Sequence, residues 1–368
     1  MTAPQLYVGL MTGTSLDGID AVLADFSGNR PRLRAHVHHA LAADLRAALL
    51  ELNSSGSDEL HRAALAAHRL AHSCAAAVGD LLLAAAIGPA EVRAIGAHGQ
   101  TVRHRPDIGY TIQVNAPATL AELTGIDVVA DFRSRDVAAG GQGAPLVPAF
   151  HAAMFQSSMP RAVVNIGGMS NLTALPAAGS TTPVLGFDCG PGNVLIDAWA
   201  EQHLGEPLDR EGRWAAAGKV DAGVLAAMLA EPYLSMPPPK STGRDLFDRQ
   251  WLNARLRGAH LHPGDVQATL TQFTAAAIAT AIDRWHPAAA DVLVCGGGAY
   301  NTTLMRMLAA GCSPRPVAGT DTAGVRPDQV EAFAFAWLAR EFVAGRPSNL
   351  PEVTGARGKR PLGALYPH

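Results

Sequence analysis

The chain contains short runs in which glycine, hydroxyl and carboxylate residues stand together, a combination suited to binding phosphate. The first runs from Gly13 to Asp20 and reads Gly-Thr-Ser-Leu-Asp-Gly-Ile-Asp. Its glycines free the backbone to turn amides toward a phosphate, and Thr14 and Ser15 add hydroxyl donors. Asp17 and Asp20 can hold a magnesium ion through water. The segment predicts a site for the phosphates of a nucleotide, with an ordinary hairpin turn as the alternative.

Two later glycine turns repeat this arrangement. Gly167 and Gly168 follow an apolar strand predicted over residues 161–166, and Gly296 to Gly298 follow another over residues 291–295. Glycine lets the backbone approach a ligand or a neighbouring segment closely, so tight packing is the alternative. Because all three turns follow the carboxyl ends of short apolar strands, we predict that they converge on one site.

Asp188 stands between a predicted strand and a Gly-Pro-Gly turn. A carboxylate that emerges at a strand end has little local competition for hydrogen bonds, which suits a general base. The alternative is that Asp188 caps the helix predicted from Val194, since aspartate and asparagine both favour helix starts.

Polar side chains at the ends of other strands are candidates for binding the second substrate. His98 and Gln100 end a predicted buried strand and can bond to hydroxyl or acyl groups. A metal pair of His98 with His104 is less favoured, because a glycine lies between them and no cysteine is near. Gln142, in the glycine-rich loop 140–145, joins these candidates.

Arg133 and Arg135 can meet a carboxylate or phosphate with a bidentate fork. Internal pairing with Asp131 or Asp136 is the alternative. Glu331 falls in the first turn of the last long helix, where the helix dipole favours a carboxylate in any case.

The elements that must position these residues predict an α/β protein. The strand over residues 5–11 and its return over residues 21–26 form a hairpin around the first glycine run, whereas a Rossmann or P-loop unit would pass into a helix. A second hairpin opens the later half of the chain. At 368 residues the chain exceeds what one core usually serves, so we predict two lobes with a cleft between them. We place residues 1–130 and about 345–368 in the first and residues 131–344 in the second.

Composition excludes several classes of function. The chain is 48% hydrophobic and 17% charged, with a net charge of −3 and no basic stripe, which argues against nucleic-acid or membrane binding. Its four cysteines are far apart, and no apolar run approaches a membrane span, so we expect a cytoplasmic protein. The P-loop motif and the common metalloprotease and hydrolase signatures are absent.

Taken together, the motifs resemble those of the anhydro-N-acetylmuramic acid kinase family, in order and over nearly the whole chain. The segments that carry the resemblance are residues 13–20, Ala-His-Gly-Gln-Thr at 97–101, residues 131–136 and 140–145, Asn-Ile-Gly-Gly-Met-Ser-Asn at 165–171, Phe-Asp-Cys-Gly-Pro-Gly-Asn at 187–193, Lys-Ser-Thr-Gly-Arg-Asp at 240–245 and residues 296–298. One departure is Cys189, which stands where the family commonly has threonine.

The resemblance implies two ribonuclease-H-like lobes of the actin-like ATPase and sugar-kinase superfamily, with mixed sheets flanked by helices. It also implies an ATP- and magnesium-dependent enzyme of cell-wall recycling that forms a homodimer. Such an enzyme opens the 1,6-anhydro bridge of its amino sugar with water and phosphorylates O6, with Asp188 as general base. The ATP-binding residues would be Gly13, Thr14, Ser15, Leu16, Asp17, Gly18, Ile19, Asp20, Asn165, Gly167, Gly168, Gly296, Gly297, Gly298 and Asn301.

The residues predicted to bind the sugar are His98, Gln100, Arg133, Gln142 and Glu331. Two other functions stay open on the sequence. One is an ordinary hydroxyl-directed sugar kinase of the same superfamily, in which Asp188 deprotonates the sugar and no bond is cleaved. The other is a sugar or nucleotide sensor without catalytic activity, although no DNA-binding extension is visible.

Overall fold

The computed structural model describes residues 5–13, 16, 18–28, 30–243 and 246–368. The chain divides into two compact units, Met1–Phe150 with Gln329–His368, and His151–Asp328. These dividing points differ from the predicted ones at residue 130 and near residue 345. The difference near residue 345 arises because the last long helix packs on the strands of the first unit.

The first unit contains a six-stranded mixed sheet in the order β13-β7-β4-β1-β2-β3. β1 runs antiparallel to β2 and parallel to β4, and β4 runs parallel to β7. β5 and β6 form a separate two-stranded sheet. The strands of this unit are β1 (Leu6–Thr12), β2 (Gly18–Asp25), β3 (Arg32–Ala40), β4 (Val92–Ala97), β5 (Gln100–Arg105), β6 (Tyr110–Val114), β7 (Val128–Ala130) and β13 (Ala364–Tyr366).

The second unit contains a five-stranded mixed sheet in the order β10-β9-β8-β11-β12. Its first three strands form an antiparallel meander, and β11 runs parallel to both β8 and β12. The strands are β8 (Arg161–Ile166), β9 (Met169–Leu175), β10 (Leu185–Pro191), β11 (Asp291–Cys295) and β12 (Val317–Gly319).

The two sheets share one topology. In each, three strands form a meander, and two further strands add in parallel beside the first strand of that meander. The predicted hairpins that open the two halves are confirmed. The predicted α/β class with mixed sheets and flanking helices is confirmed as well.

Helices flank both sheets and bury apolar faces against them. Those of the first unit are α1 (Ala43–Glu51), α2 (Glu59–Ala85), α3 (Pro117–Thr124), α4 (Ser134–Ala138), α13 (Val330–Val343) and α14 (Pro351–Thr354), and α5 (Val147–Phe155) spans the dividing point. Those of the second unit are α6 (Val194–Leu204), α7 (Arg213–Ala217), α8 (Ala222–Leu229), α9 (Pro232–Ser235), α10 (Arg249–Leu256), α11 (Pro263–Trp285) and α12 (Thr302–Cys312). None of the helices in the described residues is both long and apolar enough to span a membrane.

Glycine explains how α13 reaches the first sheet. A Cβ at Gly9 on β1 would lie 1.9 Å from the carbonyl oxygen of Ala332, and one at Gly96 on β4 would lie 2.0 Å from that of Phe335. Both separations are far inside van der Waals contact, so only glycine permits this close packing. The packing brings the start of α13, with Glu331, into the first unit.

Candidate active site

Most candidate residues of the first unit lie at one edge of its sheet. β1, β4 and β7 are parallel neighbours, so their carboxyl ends meet at the same edge. The first glycine run follows β1, His98 follows β4, and Asp131 follows β7. Ligand sites of open α/β sheets are typically built at such an edge. This edge therefore gathers candidate residues from three strands, while the convergence predicted for the three glycine turns, two of which lie in the second unit, stays a prediction.

The first glycine run contributes backbone geometry and packing in its described part. Gly13 accepts a hydrogen bond from the N–H of Leu16 at 3.1 Å, and Leu16 has a left-handed φ of 55° with its side chain buried. Ile19 is also buried in the core, so both side chains anchor the segment. A Cβ at Gly18 would lie 2.4 Å from the ring of His38. Thr14, Ser15 and Asp17 lie outside the described residues.

Asp20 lies within β2, which begins at Gly18, three residues earlier than predicted. Its Oδ1 is 3.1 Å from Nε2 of His36 and 3.0 Å from Nδ1 of His38, both on the adjacent strand β3. No group of three or more His, Cys, Asp or Glu side chains in the described part of the chain could hold a metal ion. Magnesium that arrives with a nucleotide needs only one or two carboxylates beside the phosphates, so the role of Asp20 stays a prediction.

His98 and Arg133 form a buried pair at this edge. Nε2 of His98 accepts hydrogen bonds from Nε and Nη2 of Arg133, at 3.1 and 2.9 Å. A guanidinium only donates, so the proton of the neutral imidazole lies on Nδ1. Burial first, and then the charge of Arg133, hold the pKa of His98 well below 6.5. Burial also lowers the pKa of Arg133 to about 10, which keeps it charged at neutral pH.

A buried carboxyl group organises the loop beside Arg133. Asp136 accepts hydrogen bonds from the N–H of Gly143 at 2.8 Å, from Nδ2 of Asn349 at 2.8 Å and from Oγ1 of Thr354 at 2.9 Å. The carbonyl oxygen of Gly143 accepts in turn from Nη1 of Arg133 at 2.8 Å. The alternative in which Arg133 pairs with Asp131 or Asp136 is wrong for the described contacts, because its donors go to His98 and Gly143.

The other sugar candidates differ in their surroundings. Gln100 is 2% exposed, and its Oε1 has no hydrogen-bond partner among the described residues. Gln142 is exposed, with its backbone N–H donating to Thr354 at 2.7 Å. Glu331 is half-buried in the first turn of α13, and its charge acts on Arg133. The metal alternative has no support, since His104 bonds instead to Oγ1 of Thr111 at 3.0 Å.

In the second unit, two candidate side chains lie in one row across the sheet with Asn171 between them. Asn165 on β8 pairs with Asn171 on β9, and Asn171 pairs with Asp188 on β10. Residues directly opposite each other on neighbouring strands point to the same face. The ladder is irregular just after Asp188, and such bulges often re-aim a side chain near a functional site. The row places Asp188 beside the predicted phosphate turn.

Asp188 has the environment of a carboxyl group that can exchange protons near neutral pH. Burial raises its pKa from 3.8 to about 6, although the N–H of Thr242, which donates to Oδ2 at 3.0 Å, and the charge of Lys240 act in the opposite direction. The side chain keeps partial access to solvent. The alternative that Asp188 caps α6 is wrong, because β10 continues to Pro191 and the N-cap residue is Asn193.

The β8–β9 turn is fixed through its carbonyl groups. The carbonyl of Gly168 accepts from the N–H groups of Gly192 and Val194, at 2.9 and 3.0 Å, and that of Gly167 accepts from Asn193 at 2.8 Å. These bonds use N–H groups at the start of α6 that would otherwise be available to an anion. The start of α6 therefore supports the turn, and the phosphate role predicted for the turn stays a prediction.

The third glycine turn packs against the end of β8. A Cβ at Gly298 would lie 2.3 Å from Cγ2 of Ile166, and one at Gly296, whose φ is +80°, would lie 2.3 Å from Oδ1 of Asn165. Gly297 is exposed, and the nearest atom to its Cβ would be 3.9 Å away. Asn301 caps α12, with Oδ1 accepting from the N–H of Leu304 at 2.9 Å. Gly297 is thus the glycine of this turn that packing does not require.

Substitutions at Gly297 and at Gly298 therefore distinguish contact with a ligand from packing within the protein. We expect Gly298→Ala to lower the free energy of unfolding by roughly 1–3 kcal/mol through the clash with Ile166. Gly297→Ala should unfold within about 0.5 kcal/mol of wild type yet raise KM for ATP about tenfold if the nucleotide packs on this turn. Urea titrations and steady-state kinetics check both. An unchanged KM in G297A would remove Gly297 from the nucleotide site.

A cavity of about 370 Å³ opens beside the same turn. Its lining includes Tyr300 just after the glycines, together with Asp321 and Arg326 beyond β12. The phenol of Tyr300 donates to Oδ1 of Asp328 at 2.9 Å, and Arg326 pairs with the same carboxylate. The volume lies within the range of small-molecule sites.

Comparison with known proteins adds evidence of a different kind. The family model described as anhydro-N-acetylmuramic acid kinase matches residues 5–368. The chain belongs to this family. A relative named anhydro-N-acetylmuramic acid kinase from Bordetella petrii is 58% identical over 371 residues, covering 100% of this chain and 97% of its own. One of the same name from Variovorax paradoxus is 55% identical, covering 99% of this chain and 100% of its own.

Among solved structures, the fold is similar to that of an activator of 2-hydroxyisocaproyl-CoA dehydratase from Clostridium difficile with bound ADPNP. The TM-score is 0.50 at 10% identity, and the match covers 90% of this chain and 93% of that chain. At this identity the likeness concerns the fold alone. The predicted actin-like ATPase fold and the predicted family are both confirmed.

The sequence did not assign a role to several residues that the structure places at the candidate site. Lys240 and Thr242 contact Asp188, and Asp136 holds the loop beside Arg133. A usable signal for Lys240 was its rarity, since the chain has three lysines and this one follows a run of three prolines.

Proposed function

We propose that this protein is an ATP-dependent kinase that acts on 1,6-anhydro-N-acetylmuramic acid in cell-wall recycling. It would open the anhydro bridge with water and transfer the γ-phosphoryl group of ATP to O6, giving N-acetylmuramic acid 6-phosphate and ADP. Family membership supports the kinase and its amino sugar. The observation that carries the proposal of a general base is Asp188, whose largely buried carboxyl group has a raised pKa and stands in one row with Asn165 and Asn171.

In the proposed chemistry Asp188 acts only as the general base. Its carboxylate takes a proton from the water that attacks the anomeric carbon, and the bond between that carbon and O6 breaks. The freed O6 attacks the γ-phosphorus in line, and ADP leaves. A base with a pKa near 6 is ionised at neutral pH and still basic enough to accept the proton.

The remaining roles belong to the same proposal. The nucleotide's phosphates would contact the first glycine run and the β8–β9 turn, and the cavity lined by Ala299 and Tyr300, just after the third glycine turn, would take the adenosine. His98, Gln100, Arg133, Gln142 and Glu331 would bind the sugar. Magnesium would come with the phosphates of ATP and neutralise their charge, with Asp17 or Asp20 holding it through water. The cytoplasmic location and the homodimer stay predictions.

The raised pKa of Asp188 predicts how turnover depends on pH. Only the ionised carboxylate can act as base, so kcat should fall about tenfold per pH unit below about pH 6 and level off above it. Initial rates between pH 4.5 and 9, with unfolding followed at each pH, check this. A plateau that continues to pH 4.5 would mean that no group with this pKa acts as the base.

Isotope labelling separates the proposed reaction from ordinary phosphorylation of a sugar hydroxyl. In water enriched in ¹⁸O, the proposed reaction places one heavy oxygen on the anomeric carbon and adds the mass of one water besides the phosphoryl group. An ordinary sugar kinase would leave the anhydro bridge intact and incorporate no label. Authentic product incubated in the same water controls for exchange at the anomeric carbon. Product without label beyond this control would refute the hydrolytic step.

A further inference from the structure

The segment from Lys240 to Thr242 runs directly beside Asp188 and contacts it twice. The carbonyl oxygen of Lys240 accepts a hydrogen bond from the N–H of Asp188 at 3.3 Å. The N–H of Thr242 donates to the Asp188 carboxyl group at 3.0 Å. The segment therefore fixes both the backbone of Asp188 and the orientation of its side chain.

The side chain of Lys240 holds this segment in place. Lys240 is 8% exposed, and its Nζ donates to the carbonyl oxygens of Tyr233 and Leu234, both at 3.0 Å. These carbonyls belong to the short helix α9, and a cation near the end of a helix is favoured. Nζ also lies 4.7 Å from the centre of the Tyr233 ring, within the range of a cation–π contact.

Tyr233 closes a cycle of contacts around Asp188. Its hydroxyl donates to the backbone carbonyl of Asp188 at 3.0 Å, and its ring packs edge-on against the buried Phe247. Asp188, Tyr233 and Lys240 are thus joined to one another and anchored to a hydrophobic core.

We propose that Lys240 is a positioning residue for Asp188, holding the Thr242 amide on the carboxyl group and supplying a positive charge beside it. This inference rests on the proposed role of Asp188 as general base. Among the described residues, the titratable groups beside the Asp188–Lys240 pair are the Cys189 thiol, which faces the core and whose pKa burial raises, and Arg284 on α11. The Lys240 charge and the Thr242 amide both lower the pKa of Asp188, so losing either raises it.

The test is the pH profile of Lys240→Met and Lys240→Gln, with Lys240→Arg as the conservative variant. In K240M and K240Q we expect kcat at pH 6 to fall about 10- to 100-fold and the acid limb to move to higher pH. KM for ATP should stay within about twofold. K240R keeps the charge and can donate to both carbonyls, so it should recover most of the wild-type profile. Lys219→Met, which removes an exposed lysine of the same unit, is the matched control.

Measuring Asp188→Asn in the same assays separates the positioning role of Lys240 from the proposed role of Asp188 as general base. If D188N is inactive while K240M and K240Q keep the wild-type kcat and acid limb, Lys240 has no positioning role and the proposed function stands. If D188N retains turnover, the proposed chemistry itself fails. Should K240M fail to fold, K240Q decides, because its amide keeps one donor for the α9 carbonyls and lacks the charge. An unshifted acid limb in folded K240Q overturns the inference.

Discussion

Replacing Asp188 with asparagine is expected to lower kcat by about 10²- to 10⁴-fold and to leave nucleotide binding intact. Asparagine keeps the size of the side chain and an oxygen for the Thr242 amide, but it cannot accept the proton from water. Steady-state kinetics and calorimetric titration with a non-hydrolysable ATP analogue check the two parts. Asp283→Asn, which changes an exposed carboxylate of α11, should behave like wild type.

The free energy of unfolding of D188N should also show that burial disfavours the ionised form of the Asp188 carboxyl group. The folded pKa is raised, so the folded protein binds more protons than the unfolded chain between about pH 4 and 6, and ionisation across this window disfavours folding. At pH 8 the wild type carries that cost in full, whereas D188N does not. We therefore expect D188N to be at least as stable as wild type at pH 8. A large loss of stability would indicate a structural role for the carboxylate instead.

Replacing Asp136 with alanine is expected to lower the free energy of unfolding by about 3 kcal/mol or more. The carboxyl group is fully buried and accepts from Gly143, Asn349 and Thr354, so its removal takes three hydrogen bonds from a buried network. Urea unfolding measures the loss. Thr354→Val, which removes one of the three bonds, should cost about 1 kcal/mol.

The same variant should weaken sugar binding through the loop. Gly143 is held by Asp136 and accepts from Arg133, which in turn holds His98. In the fraction of D136A that remains folded, we expect KM for the sugar to rise more than KM for ATP. Asp107→Asn, at an exposed surface carboxylate, is the matched control. For D136A itself, a decrease in the free energy of unfolding of less than about 1 kcal/mol would contradict the buried hydrogen-bond network around Asp136.

The parts of the site that the sequence predicted are those encoded locally. Glycine runs after apolar strands located both hairpins, whereas the order of the parallel strands that brings His98 and Asp131 beside the end of β1 was not predicted. Asp188 was also predicted from a local pattern, a carboxylate between a strand end and a glycine turn. Its partners Lys240 and Tyr233 were not predicted, because they contact Asp188 only through the packing of α9.

Register explains the remaining differences. Asp20 was predicted as a loop residue beside the phosphates, but β2 starts at Gly18 and pairs Asp20 with His38 across the ladder. The strand β3, which carries His36 and His38, was not predicted, although its residues alternate between polar and apolar from Arg32 to His38. The position of α13 depends on Gly9 and Gly96, whose role becomes visible only when Ala332 and Phe335 lie against them.

The central claim is that this protein phosphorylates an anhydro sugar that it opens in the same reaction. The most direct measurement is turnover by the purified protein of ATP with 1,6-anhydro-N-acetylmuramic acid, compared with N-acetylmuramic acid, N-acetylglucosamine and glucose. We predict ADP formation and N-acetylmuramic acid 6-phosphate with the anhydro sugar, identified by mass spectrometry, and rates at least about 10²-fold lower with the plain sugars. No turnover of the anhydro sugar, or equal turnover of a plain sugar, would contradict the account.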